Sequence, residues 1–583
     1  MQASLPAVPR PQHVDLNEET VRFEDGLTIT TADEDRCREE AERLRKLIER
    51  EVGTSFINST SDDTVQLSMG EPIDGSNGHP EAYRLEISNG GVSLAAPTGT
   101  GLHYGAKTLV TILDLEAGDL LLPAGEIRDW PMTEWRGMLV DPARGFIPPQ
   151  RLEELIDHMA RAKMNRLHLH LADAEAYTLE SNHYPELSGG FDEDEEIPAD
   201  FNWLQSTVKR QEWYSTEEIE QLHEYADDRD VELIPEIDIP GHATQLLMAD
   251  SRLRCQVDDG EPSMWTLCAG AEHTYEFLET ILGEVARQFD SEIVHIGTDE
   301  WEFEFSWEDC QVCHQRMEEE GLDDIHELFV YFLNRLHGIL DDHGKRMMIW
   351  NETIDSSVLS DVPTDVLIQF WRYSPQSWGV FDGVSMEEYL EAGFEIVNSY
   401  VPAAYIDRHT TEDYLLGWNP RRRPTVPSGY EDQVLGGEMT AWSGWEDESW
   451  REYYRRALPS AIPSFGNQVW NGQAVEDREA FGRAVTRHVL GPCVPGEFNI
   501  YDTLGGVILP VDSDRNEEMV HVHEAINGYS IPEAIDHYDN VQQTLSELGD
   551  QCVHPDVPEV YDDCLEWLTE VAERDGRGII ERP

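Results

Sequence analysis

Lysine is almost missing from this chain. Lys46, Lys107, Lys163, Lys209 and Lys345 are the only five in 583 residues. With 42 Lys+Arg against 117 Asp+Glu, the formal net charge is −75. That shortage of positive charge excludes nucleic acid and anionic membrane as partners, because both are held through basic patches. Cysteine is scarce as well: eight residues make no disulfide framework in a chain this long. No apolar run reaches the length of a membrane span, and residues 1–6 carry neither a charged nor an apolar leader segment. The expectation is a soluble protein of the cytoplasm. Intrinsic disorder is excluded too: 40% hydrophobic residues and 16 Trp are enough for a large core. A surface this acidic is expected to suit concentrated salt, where screening acts within about 3 Å at 1 M. Dilute buffer is then expected to unfold it.

Residues 1–127 read as a small α+β domain. Short strands are expected at 21–23 and 27–30, and a hairpin at 83–88 and 91–95. A helix is expected over 33–52, where Ala41, Leu44, Leu47 and Ile48 share a face; a second follows Gly99 through Ile112. Gly99 and Gly101 form no phosphate loop, since no Lys-Ser/Thr follows in the right place. From 128 to 474 the pattern alternates. Strands are expected at 136–140, 166–171, 231–237, 292–297, 346–350, 366–371, 395–399 and 434–440, with helices at 149–162, 215–229, 272–288 and 325–343. Eight strands with intervening helices describe a (β/α)8 TIM barrel, with a doubly wound sheet as the alternative. Residues 475–583 read as a mostly helical C-terminal region, with helices at 477–490, 516–527, 531–548 and 557–574. Such a region packs on the barrel or builds a homodimer; the sequence leaves both open.

The C-terminal ends of barrel strands converge on one pocket. Strand one runs into Asp141 and Arg144, and strand two carries His168 and His170 and leads to Asp173. Strand three ends in residues 236–242, which include His242. Strand four ends in Asp299 and Glu300, strand five in Trp350 and strand six in Trp371. Tyr405 and Asp407 follow strand seven, and Trp442 follows strand eight. Carboxylates, His and Arg on one side and aromatic rings on the other suit a sugar: rings stack on its C–H faces while charged groups take its hydroxyls.

Several ordered motifs resemble glycoside hydrolase family 20, the β-N-acetylhexosaminidases. They are residues 101–109 (GLHYGAKTL), 135–144 (WRGMLVDPAR), 163–173 (KMNRLHLHLAD), 234–242 (IPEIDIPGH) and 295–300 (HIGTDE), within a resemblance spanning about 80–470. The resemblance implies an α+β domain beside the barrel and an exo-acting enzyme that removes terminal N-acetylhexosamine from a small oligosaccharide or glycoside. This family replaces the usual carboxylate nucleophile with the substrate's 2-acetamido oxygen. By resemblance Glu300 is the general acid, with a raised pKa, and Asp299 stays ionised and accepts the acetamido N–H. Tyr405 holds the acetamido carbonyl, and Trp350, Trp371 and Trp442 box the sugar. Arg144 binds the 3- and 4-hydroxyls, Asp173 and His242 orient the acid, and Asp407 lies near the substrate hydroxyls. No metal or cofactor is implied.

Three positions depart from the family's pattern. Thr298 replaces a Gly before the Asp-Glu pair, and Asp173-Ala174-Glu175 replaces Asp-Asp-Gln. Gly444 stands where a Glu follows Trp442 at two residues, with Glu446 or Glu448 as substitutes from the same loop. The acetamido machinery is intact, and specificity at the sugar's 4- and 6-positions is open to change. Two other readings compete: a metal-dependent barrel hydrolase using His168 and His170, and a sugar-binding barrel without catalysis. Cys310 and Cys313 have metal-like spacing, but no second C-x-x-C completes a zinc site, and Cys255 and Cys268 are only loosely placed to help. Free or locally packed thiols are expected there.

Overall fold

The computed structural model describes residues 5–490, except 25, 52–56, 58–60, 117–118, 191–211, 258–262, 302–306, 352–353, 372–382, 407–411, 424–425 and 444–457. The helices expected at 516–527, 531–548 and 557–574 lie outside the described residues.

The N-terminal unit is one sheet. Its strands are β1 His13–Phe23, β2 Thr28–Thr31, β3 Thr64–Met69, β4 Tyr83–Ser88, β5 Gly91–Ala96, β6 Asp114–Glu116 and β7 Asp119–Asp129. The order is β1-β7-β4-β5-β3-β2, with β6 beside β7. Helices α1 (Glu34–Glu51) and α2 (Gly99–Ile112) pack on it. Thr98 caps α2, its side chain accepting from the Gly101 N–H. The sequence reading missed β3, β6, β7 and residues 13–20 of β1. In β7, Pro123 and Gly125 read as breakers, yet Gly125 (φ +139) is where the β1–β7 register shifts, and a Cβ there would sit 2.3 Å from the Asp15 carbonyl oxygen.

The barrel strands are β8 Trp135–Val140, β9 Arg166–Ala172, β10 Glu232–Ile237, β11 Ile293–His295, β12 Arg346–Trp350, β13 Leu367–Phe370, β14 Ile396–Asn398 and β15 Val434–Ala441. All pairings are parallel, and β15 closes onto β8. These are the eight expected strands. Alternation sorts their side chains. Leu167, Leu169 and Leu171 of β9 join the layer under the helices, while His168 and His170 point inward. The interior is plugged at one end by Trp135, Ile234, Met348, Leu367, Val397 and Leu435. Above that floor lies a polar layer of His168, Glu236, His295, Gln369 and Glu438, all with 0% exposure.

One buried carboxylate locks the two units. Asp129, at the end of β7, accepts from the Tyr83 hydroxyl (2.6 Å), Lys163 Nζ (2.8 Å), Trp470 Nε1 (3.0 Å) and the Gln12 N–H (2.9 Å). Trp470 belongs to the helix Leu458–Asn471, so the bonds join sheet, barrel and the helix after β15.

Candidate active site

The turn after β11 is built around left-handed backbone. Gly297 (φ +68), Thr298 (φ +87) and Glu300 (φ +51) all lie there. Only glycine fits at 297, because a Cβ would fall 1.7 Å from Asp238 Oδ1. Non-glycine residues at 298 and 300 are held by specific bonds. The Thr298 N–H donates to Asp238 Oδ1 (3.2 Å) and its hydroxyl to the Trp350 carbonyl (3.3 Å). Trp265 Nε1 donates to the Glu300 carbonyl (3.0 Å). Strain over-determined by its surroundings is common at reactive positions.

The result separates the two acids. The Asp299 side chain is 15% exposed and that of Glu300 29%, and His242 Nε2 lies 3.6 Å from both. Asp299 Oδ1 is buried with no hydrogen-bond partner among the described residues. Burial raises the Asp299 pKa and Glu300 adds to the rise; the nearby His242 opposes it. An ionised Asp299 therefore depends on positive charge at His242.

That charge is secured by a ladder of alternating sign. His242 Nδ1 meets Asp173 Oδ1 at 3.0 Å, and Asp173 Oδ2 meets His170 Nε2 at 2.9 Å. His170 Nδ1 lies 2.5 Å from Glu236, which also meets His295 Nδ1 at 3.0 Å and His168 Nε2 at 3.4 Å; His168 Nδ1 lies 2.8 Å from Glu438. Burial works against protonation of His242, but Asp173, Asp238 and Asp299 outweigh it and hold the pKa well above the ordinary value. His168 is likewise lifted to about 9 against burial by Glu438 and Glu236. Burial also opposes ionisation of Asp173, yet Arg144 and His242 hold its pKa far down. Asp238, buried and repelled by Asp299, has its pKa pushed well up. His168 Nδ1 and both ring nitrogens of His170 thus face carboxylates of the protein's own side chains.

Aromatic rings form the facing wall. Trp371 stacks on Tyr405 (5.8 Å between centroids, 21° apart), Tyr405 lies 6.4 Å from Trp442, and Trp442 lies 5.9 Å from Trp350. A bridge to Thr440 of β15 fixes Tyr405 beside Trp442. Trp350 is the floor rather than a wall: it is 1% exposed, and its Nε1 donates to Glu236 (2.8 Å). Arg144 sits at the corner, bound to Asp141 (2.8 Å) and Asp173 (2.5 Å) and 5.2 Å under the Trp442 ring. Glu175 Oε2 lies 3.7 Å from Arg144 Nε, in a site where burial and then Asp173 push its pKa up to about 8. Ser443 bonds back to Asp141, joining the ends of β15 and β8.

The structure therefore gathers Arg144, Asp173, His242, Asp299, Glu300, Trp350, Trp371, Tyr405 and Trp442 at one end of the barrel. Asp407, Gly444, Glu446 and Glu448 lie outside the described residues. Sequence reading missed Trp265, whose ring packs 4.1 Å from His242. It sits in a loop without strand or helix periodicity, and its only signal is an indole between strands three and four.

Residues 133–472 match the family model described as glycosyl hydrolase family 20, catalytic domain, and residues 5–130 match its domain 2. A beta-hexosaminidase of Akkermansia muciniphila is 33% identical over 428 residues, covering 70% of this chain and 83% of that one. A beta-hexosaminidase of Porphyromonas gingivalis is 29% identical over 513 residues, covering 82% of this chain; the match spans 62% of that relative's length. Among solved structures, the Vibrio harveyi GH20 exo beta-N-acetylglucosaminidase bound to N-acetylglucosamine superposes with a TM-score of 0.66 at 21% identity, over 81% of this chain and 74% of that one. Flavobacterium johnsoniae chitobiase gives 0.66 at 21% identity, over 99% and 94%. At that identity these two structures speak for the fold.

Proposed function

The chain belongs to glycosyl hydrolase family 20, and on that premise we propose an exo-acting glycosidase. It removes terminal β-linked N-acetylhexosamine, GlcNAc or GalNAc, with retention of configuration and with the substrate's own acetamido oxygen as nucleophile. Asp299 carries the reading: a carboxylate at the barrel mouth whose Oδ1 is buried and has no hydrogen-bond donor among the described residues. A buried acceptor calls for a donor, and an acetamido N–H supplies one. Glu300, more exposed and 3.6 Å from His242, protonates the leaving oxygen and then activates water. Tyr405 orients the acetamido carbonyl under the anomeric carbon. Trp371 and Trp442 flank the sugar above Trp350, while Arg144 takes the 3- and 4-hydroxyls. Glu300→Gln in molar KCl, assayed on an aryl β-N-acetylglucosaminide, is expected to lose about 10²–10⁴-fold in kcat. Activity untouched by that change refutes the assignment.

The net charge of −75 supports a protein suited to molar salt, tested by unfolding on dialysis into dilute buffer. Thiols at all five described cysteines support a reducing, cytoplasmic setting, tested by fractionation. The helical sequence pattern after residue 490 suits either packing on the barrel or a homodimer, and sedimentation at monomer mass removes the second. Gly444 supports a substrate altered at its 4- or 6-position, and equal rates on unmodified gluco and galacto substrates argue against that.

A further inference from the structure

Behind the catalytic turn, four cysteines from three stretches of chain come together, around 255, 268 and 310–313. Cys255, Cys268, Cys310 and Cys313 are at most 1% exposed, all are thiols, and their sulfur atoms lie within 4.8 Å of one another. Cys268 Sγ is 3.7 Å from Cys310 Sγ and 3.8 Å from Cys313 Sγ. A tetrahedral zinc site with Zn–S bonds of ~2.3 Å has sulfur–sulfur edges of about 3.8 Å. We propose that these four residues bind one structural zinc ion. As the ion enters, the four thiols release their protons to solvent and bind as thiolates.

The backbone places the ligands as such a site needs. An antiparallel bridge between Arg254 and Leu267 sets Cys255 beside Cys268, and the Cys268 N–H donates to the Leu253 carbonyl (2.8 Å). A second bridge joins Val257 to Cys310. Cys310 and Cys313 straddle the first turn of the helix Gln311–Glu320, whose N-cap, Cys310, makes no side-chain capping bond. The helix N-terminus favours thiolate there. Packing around the cluster is tight: a Cβ on Gly270 would fall 2.4 Å from the Val312 carbonyl oxygen. His314 takes no part, since its Nε2 bonds the Glu308 carbonyl at 2.6 Å. The second C-x-x-C that the sequence lacks is replaced by two single cysteines paired through the Arg254–Leu267 bridge.

The ion would act on the reaction through position, because the clasped segment carries Trp265. The Ala243 N–H donates to the Trp265 carbonyl (3.0 Å), the Leu267 N–H to the Pro240 carbonyl (2.9 Å), and the Thr266 hydroxyl to the Trp301 carbonyl (2.9 Å). Trp307 Nε1 donates to the Leu267 carbonyl (2.7 Å). Residues 265–268 are therefore stitched to the ends of both β10 and β11, with Cys268 as the anchor.

The test is metal analysis of the full-length chain, expressed with zinc and purified without chelator. One zinc per chain is expected, falling below one tenth in Cys310→Ser/Cys313→Ser. Should that variant fail to fold, wild-type chain stripped and reloaded with cobalt(II) is expected to show thiolate-to-cobalt charge transfer and the visible bands of tetrahedral cobalt. Less than one tenth of a zinc in the wild type, a cobalt spectrum without charge transfer, or two disulfides by mass among these four residues overturns the proposal.

Discussion

Glu175→Gln isolates a carboxyl group that the fold keeps out of water beside an arginine of the site. Glu175 is 6% exposed, and its pKa is pushed from 4.5 up to about 8 by burial first and then by Asp173 and Asp141, against Arg144. The folded-state value is raised, so between pH 4.5 and 8 the folded chain holds a proton that the unfolded chain has lost. Stability from this group is complete below pH 4.5, declines as pH rises, and levels off above 8. Each pH unit in that window is worth about 1.4 kcal/mol, so the wild type is weakened by roughly 3 kcal/mol at pH 7 and by about 5 at pH 9. Glutamine has the same shape and no proton to lose. In molar KCl, the melting temperature of Glu175→Gln relative to wild type is expected to climb from pH 5 to pH 9. A difference that stays constant across that range refutes the buried-carboxyl reasoning.

Trp265→Phe keeps a ring against His242 and deletes the bond to the Glu300 carbonyl, worth about 0.5–1.5 kcal/mol, so kcat is expected to fall roughly 2- to 10-fold with little change in KM; a change confined to KM contradicts the positioning role. His242→Gln removes the charge that holds the Asp299 pKa down, so the acid limb of kcat/KM should move to higher pH; an unmoved limb would show that Asp299 ionises independently of His242. Asp129→Asn leaves the Lys163 ammonium buried without its counter-charge and is expected to cost about 3–5 kcal/mol. Thermal melts should show it, with steady-state kinetics at low temperature nearly unchanged.

The barrel was legible because each of its strands is a short apolar run with a chemically marked end. Residues 293–300 carry their message locally, as do 166–173 and 234–242. The N-terminal sheet was read less well: β3 was overlooked although Val65, Gln66, Leu67, Ser68 and Met69 alternate as a half-buried strand does, and β7 hides a register shift under a proline and a glycine. Local sequence also could not say which strand-end Trp is wall and which is floor, since the depth of Trp350 follows from its bond to Glu236 on a neighbouring strand. Trp265 escaped for the same reason, and the four cysteines, though named together in the sequence, gave no sign there of how closely they converge. Their partners are set by contacts between loops, and no periodicity announces those.

The ladder from Glu438 to Glu300 also governs how this chain can diverge. Each imidazolium on it is flanked by carboxylates, and each inner carboxylate by cations. One rung cannot change sign without stranding a buried charge on the next. A substitution that removes a charge from this ladder therefore needs a compensating change at the neighbouring rung to keep the same stability. The outer surface obeys the opposite rule, because one carboxylate more or less among 117 acids alters little. Within a single molecule the barrel axis is therefore intolerant of single charge changes and the solvent face tolerant of them.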